Sequence, residues 1–222
     1  MRFYDLDMKS NFSVGTSSIK ELAEFAKKLG YAGIAICDNF QGFEKLRQQK
    51  AEIEQIKDIQ ILLGVEIQPR TKEELKQLVE QLRPEVSVLC VHGGDYQINR
   101  AACEDSRVDI LAHPELGRID NGLDEACLNA AAKNSVAIQI NFREILYSYR
   151  KPRSYIFGHI ATNIRLCTEL NAPLIICSGA QSIWDMRDPR ELIAIANVLG
   201  LELSRAFFSV MNIPEQIIER RK

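Results

Sequence analysis

The sequence predicts an α/β fold, a parallel TIM-like (β/α) barrel of seven strands or an incomplete eight, in one domain over residues 1–222. Three observations carry this. Apolar strand segments alternate with helical segments in units of roughly thirty residues, the spacing of strand–helix–strand repeats. Several strands are apolar without alternation, as strands buried on both faces are. Polar residues stand at the C-terminal end of every strand, and no glycine-rich phosphate loop follows the first, so a barrel fits better than an open nucleotide-binding sheet.

The first strand spans Phe3, Tyr4 and Leu6, with Asp5 and Asp7 two apart and therefore expected on one face. Such a pair is a cation site, a polar anchor for loops, or a relic of either. Ser18 and Glu21 form a capping box for a helix at 18–29, stopped by Gly30. A buried strand at 32–37 ends at Asp38 and Asn39, and a charged helix follows at 42–57. The strand at 59–66 precedes a helix opened by Thr71 and Glu74 and ended by Pro84. Strands at 86–91, 108–112, 136–140 and 173–177 follow, with helices near 95–104, 123–133 and 153–170. Asp188, Pro189 and Glu191 open a helix reaching about 199. An eighth unit is ambiguous: 201–203 could be a stub strand, but 204–211 reads more easily as a final helix, and the basic end from 218 to 222 reads as a frayed tail.

Composition narrows the function. No apolar run reaches the ~18 residues of a membrane span, and the start has no basic and apolar export signal, so a soluble cytoplasmic protein is expected. The cysteines form no C-x-x-C pair and read as buried thiols. A net charge of −2 argues against coating nucleic acid by bulk electrostatics, so any contact would use a local patch. Arg143, Arg150, Lys151, Arg153 and Arg165, opposed between those limits only by Glu144, are such a patch or a solvated helix face.

The rim of the barrel would gather Asp5, Asp7, Asp38, Asn39, Glu66, Gln68, His92, His113, Asn141, Ser178 and Gln181. A hydrolytic ion needs about three protein ligands, and Asp5, Asp7, Glu66, His92 and His113 could supply them. The alternative is a network in which Asp5 and Asp7 accept hydrogen bonds from His113, Ser178 and loop amides. His159, mid-helix, is expected outside the rim.

Phe3-Tyr4-Asp5-Leu6-Asp7, Leu29-Gly30-Tyr31-Ala32-Gly33-Ile34-Ala35, Gly64-Val65-Glu66-Ile67, Asp109-Ile110-Leu111-Ala112-His113-Pro114, Ile175-Ile176-Cys177-Ser178-Gly179-Ala180 and Trp184-Asp185-Met186-Arg187-Asp188-Pro189 together, in this order and spacing, point to one family. Over nearly its full length the chain resembles the archaeal ribonuclease P protein component 3, whose eukaryotic counterpart is the thirty-kilodalton ribonuclease P and MRP subunit. The resemblance implies a TIM-like barrel within a ribonucleoprotein that removes 5′ leaders from precursor tRNA. It further implies that the RNA subunit cleaves with Mg2+, and that the protein binds no cofactor, meets precursor tRNA only indirectly, and works with component 2 and the other protein subunits. The barrel is also similar to that of the polymerase-and-histidinol-phosphatase hydrolases. Where their first strand carries His-x-His this chain has Asp5-Leu6-Asp7, and where their seventh carries Ser-Asp-x-His it has Ser178-Gly179-Ala180-Gln181. Glu66 and His113 survive, so Asp5, Asp7, Glu66 and His113 are expected as a vestige, with no catalytic residue in the polypeptide. A stand-alone metal-dependent phosphoesterase is the alternative.

RNA held by shape and backbone calls for cations at loops and a few rings for stacking. The candidates, taken as a group, are Arg70, His92, Arg107, His113, Arg118, Arg143, Lys151 and Arg153. Trp184 is expected to pack beneath a loop. The apolar residues of 201–213, among them Phe207, Phe208 and Met211, either close the barrel or dock another subunit.

Overall fold

A computed structural model describes residues 1–220. Strands β1 (Phe3–Met8), β2 (Tyr31–Ile36), β3 (Gln60–Ile67), β4 (Val88–His92), β5 (Ile110–Ala112), β6 (Ala137–Asn141) and β7 (Leu174–Cys177) lie in sequence order in one sheet, every neighbouring pair parallel. Helices α1 (Ile19–Lys28), α2 (Phe43–Gln55), α3 (Lys72–Leu82), α4 (Tyr96–Glu104) and α5 (Glu125–Asn134) connect the first six strands; α6 (Phe142–Tyr147) and α7 (Lys151–Glu169) lead to β7. After β7 come α8 (Pro189–Val198), α9 (Leu203–Val210) and α10 (Asn212–Glu219).

The barrel is nearly closed. β1 and β7 share no ladder, but the Lys9 amide donates to the Ala180 carbonyl at 2.8 Å and the Thr16 amide to the Gln181 carbonyl at 2.7 Å. Alternation along each strand sorts the side chains into two cores. Ile34, Val65, Leu89, Leu111 and Ile138 point outward under the helices, while Tyr4, Leu6, Cys37, Val88, Ile110 and Ile175 fill the interior. Ile217 and Ile218 of α10 join that interior core, so α10 lies across the end of the barrel where the strands begin. There Arg220 donates to the carbonyls of Asn134 and Ser135 and to Asp109.

One ambiguity resolves in favour of the final helix, and three expectations change. The eighth unit contains no strand among the described residues: Leu203 opens α9, and α10 adds a helix whose Pro214 falls in the first turn, where its missing N–H is not needed. The tail from 218 is anchored through Ile218 and Arg220, and 221–222 lie outside the described residues. A separate helix, α6, starts straight from β6, because Asn141 ends the strand and caps the helix through the Arg143 amide. Thr71 accepts the Glu74 amide, yet Glu74 returns to the Arg70 amide, one residue short of a reciprocal box.

The pairing of β1 with β2 slips between Asp5 and Met8, a bulge that alters the alternation. Phe3 and Met8 pack outward while Leu6 packs inward. Asp5 and Asp7 therefore do not share a face. Asp5 turns to the seam, where its carboxylate accepts the Ser178 amide at 3.1 Å; Asp7 turns into the barrel.

Candidate functional site

At the end where the strands finish, the interior becomes polar, and its centre is Lys9, only 5% exposed. Its Nζ donates to Asp7 Oδ1 at 2.6 Å, the Cys37 carbonyl at 2.6 Å and Glu66 Oε2 at 2.8 Å. Burial alone would drive this amine toward neutrality, but the charges of Asp7 and Glu66 outweigh it and hold the ammonium well above its ordinary range. Glu66 responds in kind: burial pushes its carboxyl up, yet Lys9, the His92 hydrogen bond and the two imidazoles bring it below the usual carboxylate range. Gln139 donates to Asp7 Oδ2 at 2.7 Å, which completes the carboxylate's partners.

Beyond Lys9 lie the imidazoles. His92 Nδ1 is 2.8 Å from Glu66 Oε1, and the His92 and His113 rings sit 4.8 Å apart. His113, at a left-handed φ of 52° after β5, has Nδ1 at 3.5 Å from Glu144 Oε1 and Nε2 at 4.0 Å from Glu66 Oε2. Burial holds its pKa below the ordinary imidazole value despite Glu66. The expected bond from His113 to Asp5 or Asp7 is therefore not made; the ring faces Glu66 and Glu144 instead. Asp5, walled off at the seam, is pushed up by burial to about 7 although the Ser178 hydrogen bonds oppose this.

Glu66, His92 and His113 bring ligand atoms within 4.8 Å of one another, enough on paper for one ion. The donor set does not fit one. Glu66 Oε2 already binds an ammonium at 2.8 Å, and a dication on the same carboxylate would stand beside that fixed positive charge. Asp7, the other carboxylate, also serves Lys9, and Asp5 is elsewhere. Lys9 escaped the sequence reading, since a lysine one residue past a strand reads as solvated; its only signal was proximity to two aspartates.

The cationic candidates divide by position. Arg70 is exposed on the loop after β3, and Arg118, after β5, grips Asp120 while donating to the Gly94 carbonyl at 3.1 Å. His92 and His113 belong to the mouth. Arg143 lies 4.2 Å over the Tyr147 ring, and exposed Lys151 and Arg153 open α7. Arg107 is misplaced in the expectation: it precedes β5, at the opposite end of the barrel, and its guanidinium clasps Asp105 at 2.6 Å. Sequence reading also missed the aromatics among the rim cations: Tyr147, Tyr149 and Tyr155 are exposed, and Trp184, expected beneath a loop, is 81% exposed. Arg150 stands 5.0 Å from the Tyr149 ring and Lys151 5.8 Å from that of Tyr155. His159, expected outside the rim, lines a cavity of about 230 Å³ with Tyr155, Arg118 and Glu115.

Comparison with known proteins agrees with this geometry. The family model of the RNase P subunit p30 matches residues 2–222. The chain is 35% identical, over 94% of its length and 85% of the relative's, to ribonuclease P protein component 3 of Methanosarcina mazei. It is similar to a chain in a cryo-EM structure of archaeal ribonuclease P with mature tRNA, with a TM-score of 0.82 and 26% identity, covering 97% of this chain and 90% of that one. A histidinol phosphate phosphatase from Lactococcus lactis, complexed with zinc, L-histidinol and phosphate, shares the fold alone: its TM-score is 0.60 at 14% identity, over 90% of this chain and 95% of that one. A family match from Arg2 to the last residue, on a barrel of the same architecture, establishes that this chain belongs to the RNase P subunit p30 family.

Proposed function

We infer that this chain works as a protein subunit of ribonuclease P, the ribonucleoprotein endonuclease that removes 5′ leaders from precursor tRNA, and that it binds RNA without cleaving it. In this reading the RNA subunit carries the chemistry with Mg2+, in the cytoplasm, and the chain acts beside component 2 and other protein subunits. The observation that carries the non-catalytic part is Lys9, an ammonium with three oxygen partners where a hydrolytic barrel would need its carboxylates free for an ion. Hydrolysis of the metal-dependent kind would need carboxylates free to hold a Lewis acid, and Asp7 and Glu66 are both committed to Lys9.

RNA binding rests on the rim cations Arg70, Arg118, Arg143, Lys151 and Arg153, with Tyr147 beside Arg143 and Tyr155 beside Lys151. Arg107, at the far end, drops out of that group. The test is binding of ribonuclease P RNA, with component 2 present, from about 50 to 200 mM salt. Affinity should fall linearly on log–log axes, and neutralising Lys151 or Arg153 should each reduce the slope by about one. A slope unchanged by both substitutions would remove this face from the interface.

The gathering of Glu66, His92 and His113 favours one second reading, the metal-dependent phosphoesterase. It predicts phosphoester hydrolysis by the purified chain with manganese or zinc, abolished by His113→Ala; the leading reading predicts none.

A further inference from the structure

The cavity between the loop after β5 and the start of α7 has a feature the mouth does not use. Glu115 is 5% exposed and lines it, and Glu115 Oε2 has no hydrogen-bond partner among the described residues. A buried acceptor without a donor is costly, so such an atom points to a donor supplied from outside. The walls are of another kind: Leu116 and Ile156 are apolar, and Tyr155 offers a ring that is half exposed. At about 230 Å³ the cavity is smaller than sites for drug-sized ligands and suits one flat group.

The surroundings name the class of that group. Arg118 and His159 line the same cavity together with Glu144, whose carboxylate stands near His113, and Lys151 lies outside it at 5.8 Å from the Tyr155 ring. α7 has no acidic residue in its first turn and no side-chain cap; Lys151 and Arg153 add charge to an end already positive by its dipole. Cations gathered there are stabilised by an anion, and an aromatic face with cations at its edge is how unpaired nucleotides are held.

We propose that this cavity receives one unpaired nucleotide of the ribonuclease P RNA, its base stacked on Tyr155, an exocyclic amine donating to Glu115, and its flanking phosphates on Arg118, Lys151 and Arg153. Guanine, adenine and cytosine present that amine; uracil does not. The proposal rests on the RNA-binding reading above and adds a specific pocket to it.

The test uses ribonuclease P reconstituted with the full chain, irradiated to cross-link protein to RNA, with adducts mapped by mass spectrometry and RNA affinity measured in parallel. A nucleotide adduct is expected on Tyr155, at an amine-bearing base or its neighbour. Tyr155→Ala should weaken RNA binding about tenfold, while Tyr155→Phe, which keeps the ring, should not. Tyr155 is exposed, so neither change threatens the core. In the reconstituted enzyme, replacing the cross-linked base by uracil should weaken binding to the wild type and not to Glu115→Leu, whose side chain offers no acceptor. RNA binding with no adduct on Tyr155 and wild-type affinity in Tyr155→Ala would overturn the pocket while leaving the RNA reading intact. An adduct from Tyr155 to another protein subunit would overturn it equally. Failure of the wild-type chain to bind the RNA at all would defeat the underlying reading instead.

Discussion

Lys9 decides what the mouth can do, because its buried ammonium takes one oxygen of each of two carboxylates and offsets one of their two negative charges, while Gln139 and His92 hold the remaining oxygens. Replacing it with alanine strands Asp7 and Glu66 as buried anions, so Lys9→Ala should cost about 3–5 kcal/mol in denaturant unfolding. The same substitution frees Asp7 and Glu66 beside His92 and His113. Zinc or manganese should then raise the melting temperature of Lys9→Ala and leave that of the wild type unchanged; equal stabilisation of both would show that Lys9 does not exclude the ion. Asp5 makes a second prediction. Its folded pKa of about 7 lies above the ordinary 3.8, so the folded state holds the proton more tightly. Its contribution is intact below pH 3.8 and declines as pH rises through 7, by ~4 kcal/mol at most. Asp5→Asn, which cannot ionise, should gain stability relative to the wild type from pH 4 to 8, with a pH-independent difference being the contrary result. Glu66, His92 and His113 were legible as residues that meet at strand ends. Lys9 and Glu115 were not, since burial of a charged side chain depends on neighbours from other strands and loops.

Most elements follow from local signals. Ser18 with Glu21 and Asp188 with Glu191 make their reciprocal caps, and α1 and α8 begin at the expected residues. The bulge in β1 was hidden, because a strand's two-residue period assumes an unbroken ladder and nothing in Asp5-Leu6-Asp7 announces the extra residue. α10 was hidden for another reason: its apolar residues are few, and their target is the end of the barrel, visible only once the strands are assembled. That placement predicts that Ile217→Ala, at a position 3% exposed, should cost about 2–5 kcal/mol in urea unfolding. Phe208→Ala, at a side chain 49% exposed, should cost clearly less, and parity between the two would contradict the role of α10 as the barrel's floor. The apolar stretch 201–213 is thus mainly closure, with Val210 fully buried and Phe208 left at the surface.

At the scale of the molecule, an overall charge of −2 conceals a rim where cations and rings collect on two neighbouring strand-end loops. Composition could exclude bulk attraction to nucleic acid, and the order of weak motifs could indicate the family. Neither could show that Arg107 falls at the opposite end of the barrel from the other candidates or that Trp184 stands in the open, because both depend on how the loops fold over the barrel. The architecture divides the labour: the floor and seam hold the barrel, Lys9 fixes the charge of the mouth, and the rim carries the cations and rings on which the proposed RNA contact rests. The most direct measurement is cleavage of precursor tRNA by ribonuclease P RNA with and without this chain and component 2, across a magnesium titration. Adding the chain should raise the rate and lower the magnesium needed, to the same extent for the wild type and for His113→Ala. A rate indifferent to the chain at every magnesium concentration, or abolished by His113→Ala in a stably folded protein, would contradict the account.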